Sequence, residues 1–198
     1  MSLLIESIKL LDGEFYNLAY HEARMQHSLS SLFGRSNKPE LKSFLLAANY
    51  PRTGLYKCRI LYDGQSRNVS FYPYEPRRLR KIRVVHDDAI TYTHKYEDRR
   101  AIDRLFAMRD GCDDILIVRL GKVTDCSYSN VVFRKGLEWF TPEVPLLKGT
   151  MRQKLIDENK IRPKEILPGD IRSFDGLKVI NAMLEFDSLE IEVSDIVF

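Results

Sequence analysis

The sequence predicts an α+β fold in two parts, and three observations lead there. Two hairpin signals, Asp12-Gly13 and Asp63-Gly64, frame helical stretches in the first third of the chain. A polar, proline-containing stretch, Tyr74-Glu75-Pro76-Arg77-Arg78, then breaks the pattern. Beyond it, short strand-like runs are interrupted by two amphipathic helical ones. The implied organisation is a small N-terminal α+β domain over 1–74, a linker over 75–80, and a larger C-terminal α+β domain over 81–198.

In the first part, Leu3 to Leu11 is rich in Leu and Ile and reads as a strand, with Glu14 to Leu18 returning after the turn. From Ala19 the spacing becomes helical: Met25, Leu29, Leu32 and Phe33 fall at i, i+4, i+7 and i+8, and Gly34 stands where a C-terminal cap belongs. Pro39 suits a first helical position, so a second helix is expected to start there and run through Leu41, Phe44, Leu45 and Ala48. Gly54 to Tyr62 and Arg67 to Tyr74 make the second hairpin.

In the second part, strands are expected at Lys81 to Val85, Asp114 to Arg119, Ser129 to Arg134, Leu137 to Phe140, Lys164 to Leu167, Leu177 to Leu184 and Glu190 to Val193. A helix over Asp98 to Met108 turns Ile102, Leu105 and Phe106 inward, and another spans Thr150 to Asn159. Val123-Thr124-Asp125-Cys126 reads as a turn or cap after a strand.

Composition excludes several classes of function. Of 198 residues, 44% are apolar and 11% aromatic, enough to fill a core, so disorder is excluded for most of the chain. The 31 Lys+Arg against 28 Asp+Glu leave a net charge of +3, too little for a dedicated polyanion binder. The densest basic run, Arg77 to Arg83, is short and spans a linker and an edge strand, where cations guard against sheet pairing, so no nucleic acid partner is expected. No window approaches the roughly 18 consecutive apolar residues of a membrane span, and Met1 to Glu6 lacks the basic start and apolar middle of a signal peptide, so a cytoplasmic protein is expected. Cys58, Cys112 and Cys126 are odd in number and widely spaced, which points to reduced, partly buried residues rather than disulfides or a metal site. Glycine-rich nucleotide loops, the Gly-x-Ser-x-Gly elbow and His-Glu-x-x-His are all missing.

An ordered set of segments takes the reading further. These are Glu6-Ser7-Ile8-Lys9, His21-Glu22-Ala23-Arg24-Met25, Lys95-Tyr96-Glu97-Asp98-Arg99, Asp113-Asp114-Ile115-Leu116, Gly121 through Phe133 with its Val-Thr-Asp-Cys-Ser-Tyr-Ser-Asn core, Lys148-Gly149-Thr150-Met151-Arg152, and Ile180-Asn181-Ala182-Met183. Their order and wording resemble the class IV aminotransferases, the pyridoxal 5'-phosphate (PLP) family that includes branched-chain and D-amino-acid aminotransferases and aminodeoxychorismate lyase. The resemblance runs from about Leu4 to about Phe186. The Thr-acid-Cys wording, and Lys95 followed by Arg99, are closest to the lyase branch.

The resemblance implies the two-domain fold of the D-amino-acid aminotransferase-like PLP enzymes, with the cofactor in the cleft between domains, and it assigns roles. Lys95 aligns with the lysine that binds the cofactor covalently and later serves as general base, roles an amine can fill. Asp125 falls where the family has a glutamate facing the pyridine nitrogen; a carboxylate there keeps that nitrogen protonated. Aspartate is one methylene shorter, a loss of reach of roughly one C–C bond. Arg24, three residues after His21 and so on the same helix face, aligns with a phosphate-binding arginine. Gly149-Thr150 at a helix start and Asn181-Ala182 at a strand end match the other phosphate contacts.

On the substrate side, Lys9, Arg99 and Tyr128 occupy or neighbour positions that face substrate in relatives. Arg100 stands where the aminotransferase branch usually has a tyrosine. Family members also begin with a strand pair and a glycine-rich segment, whereas this sequence starts almost at Leu4-Ile5-Glu6-Ser7, a shortened N-terminus. The expected function is therefore a PLP enzyme resembling 4-amino-4-deoxychorismate lyase, which eliminates pyruvate and gives 4-aminobenzoate in the folate pathway. The alternatives are a class IV amino-acid aminotransferase and a non-catalytic relative acting as a binding module. A small-molecule amine substrate and a homodimer follow by resemblance, and no metal is implied.

Overall fold

A computed structural model of the chain describes residues 3–187 and 189–198. The chain divides into two compact units, Met1–Pro76 with His94–Asp98, and Arg77–Thr93 with Arg99–Phe198.

The first unit opens with β1 (Leu4–Leu11) and β2 (Glu14–Phe15), followed by α1 (Leu18–Phe33), α2 (Leu41–Leu46), β3 (Leu55–Tyr62) and β4 (Arg67–Pro73). The strands form one antiparallel sheet in the order β2-β1-β3-β4. Asp12 and Gly13 both take positive φ, 48° and 83°, the left-handed pair that a tight hairpin turn needs. Alternation along β1 buries Leu4, Glu6, Ile8 and Leu10 on one face. Leu4 and Ile8 pair with Tyr62 and Cys58 of β3, and this apolar face packs with Met25 of α1 and with Leu41 and Leu45 of α2.

Two boundaries differ from expectation for local reasons. β2 stops at Phe15, and Asn17 with φ 56° redirects the chain into α1. α2 starts at Leu41 rather than Pro39, because Glu40 takes φ 48° and the Leu41 amide donates to the Glu22 carboxylate at 2.6 Å.

Because β2 covers only Leu10 and Leu11, the outer edge of β1 would be open around Leu4. Residues 95–97 fill it. The Ile5 amide donates to the Lys95 carbonyl and the Glu97 amide to the Leu3 carbonyl, both at 2.9 Å, with Leu4 opposite Tyr96. The sequence assigns this segment to the larger domain, but the backbone groups of β1 hold it in the first unit.

The second unit contains β5 (Ile82–His86), α3 (Arg100–Ala107), β6 (Asp114–Arg119), β7 (Lys122–Cys126), β8 (Asn130–Lys135), β9 (Glu138–Pro142), α4 (Thr150–Asp157), β10 (Arg162–Lys164), β11 (Gly176–Ile180), β12 (Ile191–Glu192) and β13 (Ile196–Val197). Their order is β10-β9-β8-β7-β6-β5-β13, with β11 pairing both β8 and β12. β5 and β6 run parallel and flank α3 in sequence, while β6 to β9 form antiparallel neighbours. The basic run before β5 is partly spoken for, since the Arg80 and Lys81 amides donate to Asp113 and the Arg83 side chain pairs with Asp110.

β7 is the strand the sequence hides. Val123, Thr124, Asp125 and Cys126 are all buried, so a central strand with both faces covered shows no polar alternation, and its two polar residues imitate a turn. β10 lies slightly earlier than expected because it pairs with β9 through Arg162 and Lys164. All three cysteines are buried and unbonded. Among the described residues, no helix is long and apolar enough to cross a membrane and no group of His, Cys, Asp and Glu could hold a metal ion.

Phe133 sits fully buried on β8, its ring 5.1 Å from that of Phe174. Phe133→Ala is expected to cost about 3–5 kcal/mol, measured as a lowered urea midpoint with the slope retained.

Candidate active site

The residues singled out by sequence fall in both units. In the first, the dominant feature is Glu6, a carboxylate with no exposed surface on the apolar face of β1. Arg24 reaches it from α1 with two bonds, Nε to Oε1 at 2.9 Å and Nη2 to Oε2 at 2.5 Å, while His21 Nδ1 lies 2.7 Å from Oε2. The three-residue spacing of His21 and Arg24 thus does place both on one helix face, but they converge on a partner that sequence reading left without a role. Burial alone would raise the Glu6 pKa; the Arg24 guanidinium and then the His21 hydrogen bond reverse this and hold it down at about 2.

An ionised Glu6 fixes its neighbours. It accepts from His21 Nδ1–H, so the neutral imidazole presents a bare Nε2 lone pair, which is buried with no hydrogen-bond partner among the described residues. Burial, and after it the positive charges of Arg24 and Lys95, lower the His21 pKa and keep the ring neutral. One edge of the Arg24 fork is committed to Glu6, which orients the guanidinium.

Lys95 stands on the segment that completes the β1 edge. His94 contacts Ser28 and Ser31 of α1, and Tyr96 packs into the apolar core on the same side. The Tyr96 amide donates back to the His94 carbonyl at 2.9 Å, a tight turn centred on Lys95, whose charge acts on His21 of α1, while Glu97 pairs with Arg59 on the opposite face of the sheet. Lys9 also belongs to that face of β1, with its ammonium 4.7 Å from the centre of the Tyr16 ring.

In the second unit, Asp125 is buried at the end of β7, opposite Asn130 of β8. Asn130 Nδ2 donates to its Oδ1 at 2.6 Å and the Leu147 amide to its Oδ2 at 2.9 Å. Burial dominates these donors and pushes the Asp125 pKa up to about 6.

Gly149 precedes the first turn of α4, in which Thr150, Met151 and Arg152 are buried. No side-chain oxygen caps this helix. A buried helix start with no capping side chain suits an anion, which its first-turn N–H groups and dipole would favour.

Asn181 follows β11, and its side chain is engaged in shaping a turn: Oδ1 accepts from the Met183 and Leu184 amides, and Nδ2 donates to Ser129 Oγ. Ala182 lies inside that turn, so any phosphate contact here would come from backbone.

Arg99 and Tyr128 come together. The Arg99 guanidinium lies 4.1 Å from the centre of the half-exposed Tyr128 ring and donates to the Ser127 carbonyl at 2.7 Å. Ser127 is itself fixed by Asp114, which accepts from its hydroxyl at 2.5 Å. Each unit taken by itself offers groups that fit PLP chemically: a half-buried amine and an oriented guanidinium in the first, a buried carboxylate and a helix N-terminus in the second.

Two site features were missed by sequence reading. Glu6 could have been found from alternation, since a carboxylate in register with Leu4, Ile8 and Leu10 needs a buried partner. Asn130 has no comparable signal, because its partners come from a strand and from a loop 17 residues away.

The lowered Glu6 pKa has a definite sign. Its contribution is present above its ordinary value of 4.5 and is lost as the pH falls through about 2, and the difference corresponds to about 3 kcal/mol. Glu6→Gln is expected to cost about 3–5 kcal/mol at neutral pH and to flatten the acid limb of the unfolding profile, measured by urea denaturation across that range.

Comparison with known proteins identifies the family. The sequence profile of amino-transferase class IV matches residues 3–187. An uncharacterized protein of Haemophilus influenzae is 40% identical over 182 residues, covering 91% of this chain and 97% of its own. The crystal structure of a proposed 4-amino-4-deoxychorismate lyase from Haemophilus somnus superposes with a TM-score of 0.86 at 34% identity, covering 94% of this chain and 98% of that one. A proposed amino-acid aminotransferase from Mesorhizobium loti matches over 100% of both chains, with a TM-score of 0.81 at 22% identity. With a family profile spanning nearly its whole length and a relative of this similarity, the chain belongs to the class IV aminotransferase family.

Proposed function

We propose that this chain, a PLP-dependent enzyme by family, is a lyase of the 4-amino-4-deoxychorismate type, releasing pyruvate and 4-aminobenzoate for folate synthesis. The observation that supports the lyase branch most is the 34% identical relative of that proposed activity, which aligns over nearly the whole of both chains. Lys95 followed by Arg99, and the Thr124-Asp125-Cys126 wording, point the same way. A cytoplasmic homodimer acting on a small-molecule amine belongs to this reading by resemblance.

When bound, PLP supplies a carbonyl for the amine and a ring that takes up electron density. In this reading Lys95 would hold it covalently through Nζ, and the free amine would move a proton at that same nitrogen. Arg24, oriented by Glu6, would hold the phosphate, a role that the resemblance also gives to the Gly149-Thr150 helix start and the Asn181-Ala182 turn. Asp125 is the group that would hold the ring nitrogen, where a cation would favour its ionised form, against the burial that pushes its pKa up to about 6. On the substrate side, Arg99 stacked on Tyr128 offers a guanidinium to a carboxylate, and Lys9 offers a further cation.

The purified protein titrated with PLP is expected to develop the absorbance band of a lysine-bound cofactor, and Lys95→Ala to lose it. No band, or one that persists in the variant, overturns the reading. Incubated with aminodeoxychorismate, the wild type is expected to release pyruvate and 4-aminobenzoate, and Lys95→Ala to be slower by roughly 10²–10⁴-fold or more. Amino transfer to 2-oxo acids without those products would assign the aminotransferase branch instead.

A further inference from the structure

We propose that Asn130 is a positioning residue that ties Asp125 to the entry of α4, so that the carboxylate and the helix N-terminus are presented to PLP at one fixed spacing. The inference rests on the reading above for its cofactor, but its geometry belongs to the chain alone.

Asn130 is the crossing point of the elements concerned. Its backbone position lies opposite Asp125 of β7 on one side and Ile180 of β11 on the other. Ile180 immediately precedes Asn181, whose turn is anchored on Ser129, the neighbour of Asn130. The side chain completes the crossing. Both of its amide hydrogens are used, one on Asp125 Oδ1 at 2.6 Å and one on the Leu147 carbonyl at 2.8 Å. The Leu147 amide returns to Asp125 Oδ2 at 2.9 Å. Carboxylate, amide and loop backbone thus form a closed ring that ends two residues before Gly149.

The remaining atom of the side chain, Oδ1, faces Gly149. A Cβ built at position 149 would lie 1.9 Å from it, well inside contact distance. The φ of Gly149 is −71°, ordinary for any residue, so glycine is required there by space alone. One side chain therefore sets both the grip on Asp125 and the closeness of the loop to β8. Of the charged groups facing Asp125, Arg152 on α4 favours its ionised form, and the adjacent Cys126 thiol is held protonated by burial.

The test compares wild type, Asn130→Ala, Gly149→Ala and the double variant, as full-length protein, in two measurements. In urea unfolding without cofactor, Gly149→Ala is expected to be strongly destabilising in wild type and nearly neutral once Asn130→Ala has removed the obstructing oxygen. Losses that simply add would overturn the proposal. In PLP titrations from about pH 5 to pH 9, Asn130→Ala is expected to bind about tenfold more weakly at neutral pH, with the midpoint of its pH dependence moved upward, because Asp125 has lost a donor to its charged form. Unchanged affinity and an unchanged midpoint would also overturn it. Asn130→Asp guards against misfolding of the alanine variant. It keeps an oxygen against residue 149 and loses both donated bonds, so it is expected to weaken PLP binding while leaving Gly149→Ala as damaging as in wild type, and relief of that damage would count against the proposal. A wild type that fails to bind PLP would overturn the functional reading, and the unfolding cycle would still decide the spacing.

Discussion

A negative charge buried in an apolar core is the constraint on which the first unit is built. Glu6 lies between Leu4 and Ile8 on the face that α1 covers, where an unpaired carboxylate would be prohibitively costly. The cost is met by α1, which brings Arg24 and His21 to it at hydrogen-bonding distance. The helix is thereby fixed against the strand by direction as well as by apolar contact, since a guanidinium fork accepts a carboxylate in few orientations. Everything else in this unit follows the same strand. β3 pairs along its whole length on one side, while the short β2 leaves room on the other for the segment that holds Lys95.

The second unit also buries a carboxylate, with the opposite electrostatic outcome. Glu6 has a full positive charge in bidentate contact and is held at about 2; Asp125 has only neutral donors in contact, with Arg152 acting on it by charge alone, and is pushed up to about 6. The signs for stability are opposed as well. Glu6 strengthens the fold once the pH exceeds its ordinary value, whereas Asp125 weakens it as the pH rises from 3.8 through about 6, by about 3 kcal/mol at neutral pH. One acid is satisfied by the protein, and the other is left with ionisation still to be supported. That difference separates a carboxylate serving the fold from one suited to a cationic ligand.

The same contrast explains what could be read in the sequence. Alternation in β1, helical spacing in α1 and the Asp12-Gly13 turn are local signals, and each appears in the structure close to where it was expected. β7 was illegible because a doubly covered strand has no polar face, and the two polar residues it buries are the ones that look like a turn. The segment around Lys95 clusters with the first unit through partners on β1 about ninety residues earlier, which no local pattern carries. Lys95, Arg24 and Asp125 were legible only through resemblance to a family. Glu6 and Asn130, which hold two of those residues in place, lie in the segments that carry the resemblance but receive no role from it.

That asymmetry has a physical origin. Residues that meet a ligand are constrained in chemical type, so their identity survives in a linear pattern. Residues that hold them are constrained by where the fold happens to bring a donor or an acceptor. Asn130 shows how demanding that second constraint is: its amide must donate twice within 3 Å, and its oxygen must find a neighbour with no side chain. Asp125 is one methylene shorter than the glutamate that the resemblance leads one to expect, and its position is set by Asn130 and the Leu147 amide together. The reach of that carboxylate is therefore a property of the ring around it rather than of its own length, and a shorter acid can serve the same end if the ring is placed to suit it.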